Sequence, residues 1–80
     1  MDLRNIKDKL EVYKYWQGLI ETMPDGYDLA YKILGVCVND NFDAWSQEDK
    51  KFDKITELAA LLETRPDDKE RWAEIRQLLK

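Results

Sequence analysis

The most apolar stretch of the chain runs from Tyr27 to Val38, and its pattern predicts a buried helix. On a helical projection, Asp28, Lys32, Gly35 and the following Asn39 fall on one narrow strip, and apolar or aromatic side chains fill the rest. A helix that is apolar nearly all round is buried, and this one is too short for a bilayer, which needs about 20 residues. We therefore predict a helix over residues 27–38 at the centre of the fold.

A buried strand is the alternative for the second half of this stretch. Residues 33–38 form a short, β-branched, apolar run, which is also typical of a strand in a sheet. The chain offers no second strand candidate to pair with it, and the helix is therefore favoured.

The N-terminal part predicts a long amphipathic helix over Leu3–Met23, with Asp2 as its N-cap. Val12, Tyr15 and Leu19 lie beside its apolar stripe and widen the apolar arc to roughly 200°, although about 100° suffices for one core. We interpret these three residues as a candidate interaction surface. The alternative is that the last helix covers them and the protein is a monomer.

Turn residues divide the rest of the chain. Pro24, Asp25 and Gly26 predict a tight turn after the first helix. The run 42–45 carries two aromatic residues and predicts a loop held on the core. Ser46 then begins a capping box for a third helix that runs to about residue 63.

A fourth helix follows Pro66, with Asp67 and Asp68 at its positive end. The apolar residues at helical spacing that this helix is expected to bury are Trp72, Ile75, Leu78 and Leu79. The sequence thus predicts a single all-α domain over residues 1–80, a compact four-helix bundle with the second helix (27–38) central.

Composition narrows the classes of function. The 80 residues include 17 acidic and 13 basic side chains, for a net charge of −4, which argues against nucleic-acid binding. Acidic residues concentrate in one region, which could present carboxylates to a basic partner as an inhibitor or nucleic-acid mimic would. These residues are Asp40, Asp43, Glu48, Asp49 and Asp53.

Catalytic and metal-binding patterns are missing from the sequence. The chain has no histidine, so its single cysteine, Cys37, has no Cys–His pairing. A calcium loop starting at Asn39 would need glycine and glutamate where Ala44 and Lys50 stand. We therefore expect no catalytic residue, no metal and no cofactor.

The first residues of the sequence and Cys37 both bear on the cellular compartment of the protein. Scattered charges among the first residues leave no apolar run typical of a signal peptide, and no membrane span is predicted. Cys37 lies in the most apolar segment and is expected to be a buried thiol, which suits a reducing compartment. We expect a cytoplasmic protein.

The residues Pro24, Tyr27, Tyr31, Lys32 and Leu34 form a motif that follows a lysine-rich amphipathic helix. This part of the chain resembles the bacterial family called domain of unknown function 1048, whose members are small helical proteins. The resemblance implies an all-helical fold and supplies no catalytic residues. Tyr27 and Tyr31 lie on the buried side of the predicted central helix.

These observations together predict a small non-catalytic intracellular module. We expect it to bind another protein or to self-associate as a homodimer, with the acidic inhibitor as the alternative.

Overall fold

The computed structural model describes residues 3–80, in which the regular elements are all helices and no strand occurs. The all-α prediction is confirmed, although the described residues form five α-helices rather than four. They are α1 (Lys9–Thr22), α2 (Tyr27–Leu34), α3 (Phe42–Glu48), α4 (Lys50–Thr64) and α5 (Lys69–Leu78), with 3-10 turns at Leu3–Asn5 and Gly35–Val38.

The first helix begins at Lys9, not at Leu3 as predicted. Asp8 caps it, because its carboxylate accepts a hydrogen bond from the backbone N–H of Leu10 at 2.9 Å. Residues 3–5 form a separate 3-10 turn, and Ile6 is buried. The predicted cap Asp2 lies outside the described residues.

Asn39 explains why the N-terminal segment leaves the helix. Its side-chain amide donates to the carbonyl oxygens of Leu3 at 2.6 Å and Ile6 at 2.8 Å, and its own oxygen accepts from the backbone N–H of Asn41. A buried amide needs such partners, and here backbone groups supply them. The prediction that Asn39 lies on a wet strip is therefore wrong, since only 4% of it is exposed.

The second helix is shorter and less buried than predicted. It ends at Leu34 and continues as the 3-10 turn Gly35–Val38. Leu29, Ala30 and Ile33 are fully buried, but the opposite side of the helix faces solvent. A helix buried nearly all round was expected, and that expectation is wrong.

The centre of the fold is shared by α2 and α4. These two helices have the most extensive contact in the molecule, and α4 also packs against α3 and α5. The ring of Phe52 on α4 packs against the ring of Trp16 on α1, with centroids 5.0 Å apart. Trp16 donates from its indole N–H to the carbonyl of Ile33 at 3.1 Å, which joins α1 to α2.

The predicted aromatic loop at residues 42–45 is instead the start of α3. Trp45 is buried against Phe52, with ring centroids 5.9 Å apart. The predicted capping box at Ser46 is wrong, because Ser46 lies inside α3 and Asp49 caps the next helix. The Asp49 carboxylate accepts hydrogen bonds from the first turn of α4.

The last helix agrees well with its prediction. Asp68 caps α5 by accepting from the backbone N–H of Arg71, and Trp72 and Ile75 are buried. The indole N–H of Trp72 donates to the carbonyl of Pro66 at 3.0 Å, which fixes the turn before the helix.

Candidate interaction surface

The residues predicted to form an interaction surface on α1 mostly pack into the core. Val12 is fully buried, so it offers no side chain to a partner. Tyr15 and Leu19 are half-buried and pack against the core, and burial raises the pKa of Tyr15 above its ordinary value. The helix α1 packs against α2, and the side-chain amide of Gln17 donates to the carbonyl of Leu79.

Several exposed apolar side chains instead lie along the outer side of α2 and on the 3-10 turn that follows it. Tyr27 and Tyr31 are 51% and 61% exposed, and their rings stack with centroids 6.2 Å apart and an interplanar angle of 25°. Val38 is 60% exposed. Leu34 is half-buried and Cys37 is exposed. We call these five residues the α2 face.

Helical spacing places the members of the α2 face on one side. Positions 27, 31 and 34 are four and three residues apart, and such positions share a face of an α-helix. The buried positions Leu29, Ile33 and Val36 fall on the opposite side. The tyrosines were predicted to be buried, and that prediction is wrong. Because this segment is apolar on both sides, periodicity could not distinguish the core side from the solvent side.

Two opposite charges flank the α2 face. Asp28 and Lys32 are exposed and lie one helical turn apart. Neither takes part in an ion pair among residues 3–80. An apolar centre with a charged edge is the usual composition of a protein–protein interface.

Cys37 belongs to this exposed side and is not the buried thiol that the sequence predicted. Partial desolvation still raises the pKa of its thiol. The neutral thiol therefore predominates at pH 7, and this form is a poor nucleophile.

The acidic residues do not all remain available. Asp40, Asp43, Glu48 and Asp53 are exposed. Asp49 is half-buried and is engaged within the chain, because it accepts the hydroxyl of Tyr13 at 2.8 Å and lies 3.1 Å from Nζ of Lys9. The predicted acidic surface therefore loses one of its members to a structural role.

The group around Asp49 is the main set of polar contacts that the sequence did not predict. Desolvation acts to raise the pKa of Asp49, but hydrogen bonds from Tyr13, Lys9 and the first turn of α4 outweigh it and lower the pKa. Desolvation and the bond to Asp49 raise the pKa of Tyr13 far above its ordinary value. Lys51 lies 5.5 Å from the centre of the Tyr13 ring. This arrangement stabilises the junction between α3 and α4 and holds it against α1.

Elsewhere, a shallow cavity of about 290 Å³ lies between two turns and is lined by Asp25, Pro66, Asp67, Lys69 and Trp72. Asp25 is paired with Arg76, and Trp72 is held by Pro66. Among residues 3–80, no three histidine, cysteine or acidic side chains are grouped as metal ligands would be.

Comparisons of this chain with models of known protein families, with curated proteins and with solved structures found no match. The resemblance to the domain of unknown function 1048 family therefore stays a prediction. In the described part of the chain, no helix combines the length and the apolar character that crossing a bilayer requires.

Proposed function

We propose that this protein is a non-catalytic interaction module that self-associates through the α2 face. The observation that carries the proposal is the stacked pair Tyr27 and Tyr31, which stays in solvent although the same helix buries its other side completely. The contact surface in this proposal is the α2 face. The set Val12, Tyr15 and Leu19 is not used, because Val12 is fully buried and the other two pack against the core.

Physical reasons favour binding at this pair. Single exposed apolar residues are common, but neighbouring ones form a patch of the kind that marks interfaces. Tyrosine is enriched among the residues that dominate binding energy, because it combines a large apolar ring with a hydroxyl. The rings of Tyr27 and Tyr31 are already stacked on each other, so less side-chain entropy is lost on association.

A non-catalytic role is supported by the inventory of reactive groups. The chain has no histidine, and its one thiol has a raised pKa. Carboxylates alone would need to be buried together in a cleft to act as an acid–base pair, and the exposed acids of α3 and α4 are not arranged in this way. We place this module inside the cell, in the cytoplasm, in keeping with its free thiol.

The alternative, an acidic inhibitor or nucleic-acid mimic, has weaker support. Its proposed surface retains four exposed carboxylates, but Asp49 accepts intramolecular hydrogen bonds. Exposed Lys50, Lys51 and Lys54 lie among these acids in the sequence and reduce the local negative charge.

Sedimentation velocity over a range of concentrations tests self-association. We expect wild type to form a dimer with a dissociation constant on the order of 1–100 µM, as suits a small interface. Tyr31→Glu would bury an unpaired charge in that interface, and we expect dimerisation to weaken at least tenfold.

Leu10→Glu is the matched control for this experiment. Leu10 is 63% exposed on α1 and receives the same new charge at a helix position of similar exposure. We expect this variant to dimerise like wild type. A wild-type protein that remains monomeric at several hundred micromolar, or equal weakening by both variants, would overturn the proposal.

A further inference from the structure

We propose that the partner seated on the α2 face is a second copy whose α2 runs antiparallel to the first. In this arrangement Asp28 of each copy faces Lys32 of the other. The inference rests on the proposed self-association and adds the orientation of the two copies.

A two-fold axis explains how the charges meet. An axis perpendicular to α2 and level with Ala30 relates one copy to the other in an isologous dimer. Asp28 and Lys32 lie equally far from Ala30, on opposite sides of it. The axis therefore sets Asp28 of one copy level with Lys32 of the second copy, twice in the dimer.

The tyrosines share the same symmetry centre to within one residue. Tyr27 and Tyr31 are centred on Leu29, about 1.5 Å along the helix from Ala30. The axis that pairs the charges thus also brings Tyr27 of one copy beside Tyr31 of the other. The four rings form one apolar cluster, with Leu34 at each end next to Tyr27 of the second copy.

Charge selects the antiparallel orientation over the parallel one. Asp28 and Lys32 lie one helical turn apart and therefore along the same edge of the α2 face. In a parallel two-fold pair the charged edges of the two copies lie on opposite sides of the interface, so neither charge meets a partner. The antiparallel pair brings the two edges together and matches opposite charges. Both side chains are exposed, and neither has an ion-pair partner within residues 3–80. Each is therefore available to pair with the second copy.

Charge reversal followed by mixing tests this orientation. We expect Asp28→Lys alone and Lys32→Asp alone each to weaken the homodimer about tenfold, because two attractive pairs become repulsive. An equimolar mixture of the two variants, one carrying a fluorescent label, should form a heterodimer within about threefold of the wild-type affinity. The double variant D28K/K32D should also regain homodimerisation, since its charges are exchanged symmetrically.

Asp43→Lys and Lys14→Asp are matched reversals of exposed charges on α3 and α1 that do not belong to the α2 face, and they should leave dimerisation unchanged. Recovery in the mixture also excludes a folding defect as the cause of the weakening. If wild type dimerises but the mixture shows no recovery, the antiparallel orientation is wrong while self-association stands. If wild type and every variant remain monomeric, the proposed function itself fails.

Discussion

At the scale of single residues, Asp49 combines more roles than any other polar side chain described here. It caps α4, accepts the hydroxyl of Tyr13 and pairs with Lys9. One carboxylate thereby joins the start of α1 to the junction of α3 and α4. Its loss leaves the first turn of α4 and the half-buried hydroxyl of Tyr13 without an acceptor.

We expect Asp49→Ala to lower the free energy of unfolding by about 2 kcal/mol, the sum of a lost helix cap and a lost side-chain hydrogen bond. Urea denaturation at pH 7 measures the free energy of unfolding of wild type and variant. Asp53→Ala is the control, because Asp53 is exposed on the same helix and should change stability by less than about 0.5 kcal/mol. Equal losses in both variants would show that general charge, not this contact, matters.

The same residue carries a pH dependence with a defined sign. The folded state lowers the pKa of Asp49, so its contribution is present above the unfolded value of about 4 and is lost as the pH falls through the folded value. The stability difference between wild type and Asp49→Ala should therefore narrow below about pH 4. A difference that stays constant to pH 2 would contradict this role.

Residue burial was the least predictable property of the sequence. The sequence pattern predicted that Tyr27, Tyr31 and Cys37 are buried. All three are exposed. Asn39 was predicted to be exposed to solvent and is buried. An amide is buried only where backbone carbonyls converge on it, and this depends on the path of a distant segment. Trp72, Ile75 and Leu79 were correctly predicted to be buried because the apolar residues of the last helix follow one stripe, whereas Leu78 is half-buried.

At the scale of elements, Asn39 connects the N-terminal segment to the end of α2. Two of its hydrogen bonds hold residues 3–6 against the 3-10 turn Gly35–Val38, and its side-chain oxygen accepts a third from the backbone N–H of Asn41. Leu3 also approaches this turn closely, since a Cβ on Gly35 would lie 3.2 Å from a Leu3 methyl carbon. A Cβ at position 35 would therefore require the Leu3 side chain to shift by a few tenths of an ångström.

We expect Asn39→Ala to lower the free energy of unfolding by about 2 kcal/mol, because the buried carbonyl of Ile6 and the partly buried carbonyl of Leu3 lose their donor. Amide hydrogen exchange should accelerate most in the N-terminal residues around Ile6, and little in α4. Asn41→Ala is the matched control, since its side chain makes no capping hydrogen bond. Uniform acceleration throughout the chain would show that Asn39 supports the whole fold and not one segment.

Element boundaries could be predicted only where one local signal dominates. Asp68 after Pro66 was found because proline and the acids agree. Elsewhere two nearby residues are both suitable as the N-cap of the same helix. Ser46 and Asp49 are such a pair, and so are Asp2 and Asp8. The choice between them depends on Tyr13 and Asn39, partners far away in the sequence.

At the scale of the whole molecule, the two ends of the chain are joined through α1 and α5. The Arg76 guanidinium donates to the carbonyl of Ile20 at 3.0 Å and pairs with Asp25, and Gln17 reaches the carbonyl of Leu79. The radius of gyration of 11.6 Å is close to the value of about 12 Å for a folded chain of this length. These contacts hold α5 against α1 and the turn that follows α1.

We expect Arg76→Met to lower the free energy of unfolding by about 1 kcal/mol. The value is modest because the side chain is 39% exposed and its ion pair is screened by solvent. Arg71→Met is the control, since Arg71 pairs only locally with Asp68 in the same helix turn. Chemical denaturation of both variants measures their free energies of unfolding. A larger loss of stability in Arg71→Met than in Arg76→Met would contradict the role of Arg76 in holding α5 against α1.

The three tryptophans lie in three different helices, α1, α3 and α5, and all are buried. Their indole rings therefore emit from a dry environment in the native state, and solvent access shifts that emission to longer wavelength. Trp16 also touches α2 through Ile33, while Trp45 packs on α4 through Phe52. Intrinsic fluorescence thus reports, as one combined signal, on the opening of these three helices without an added dye.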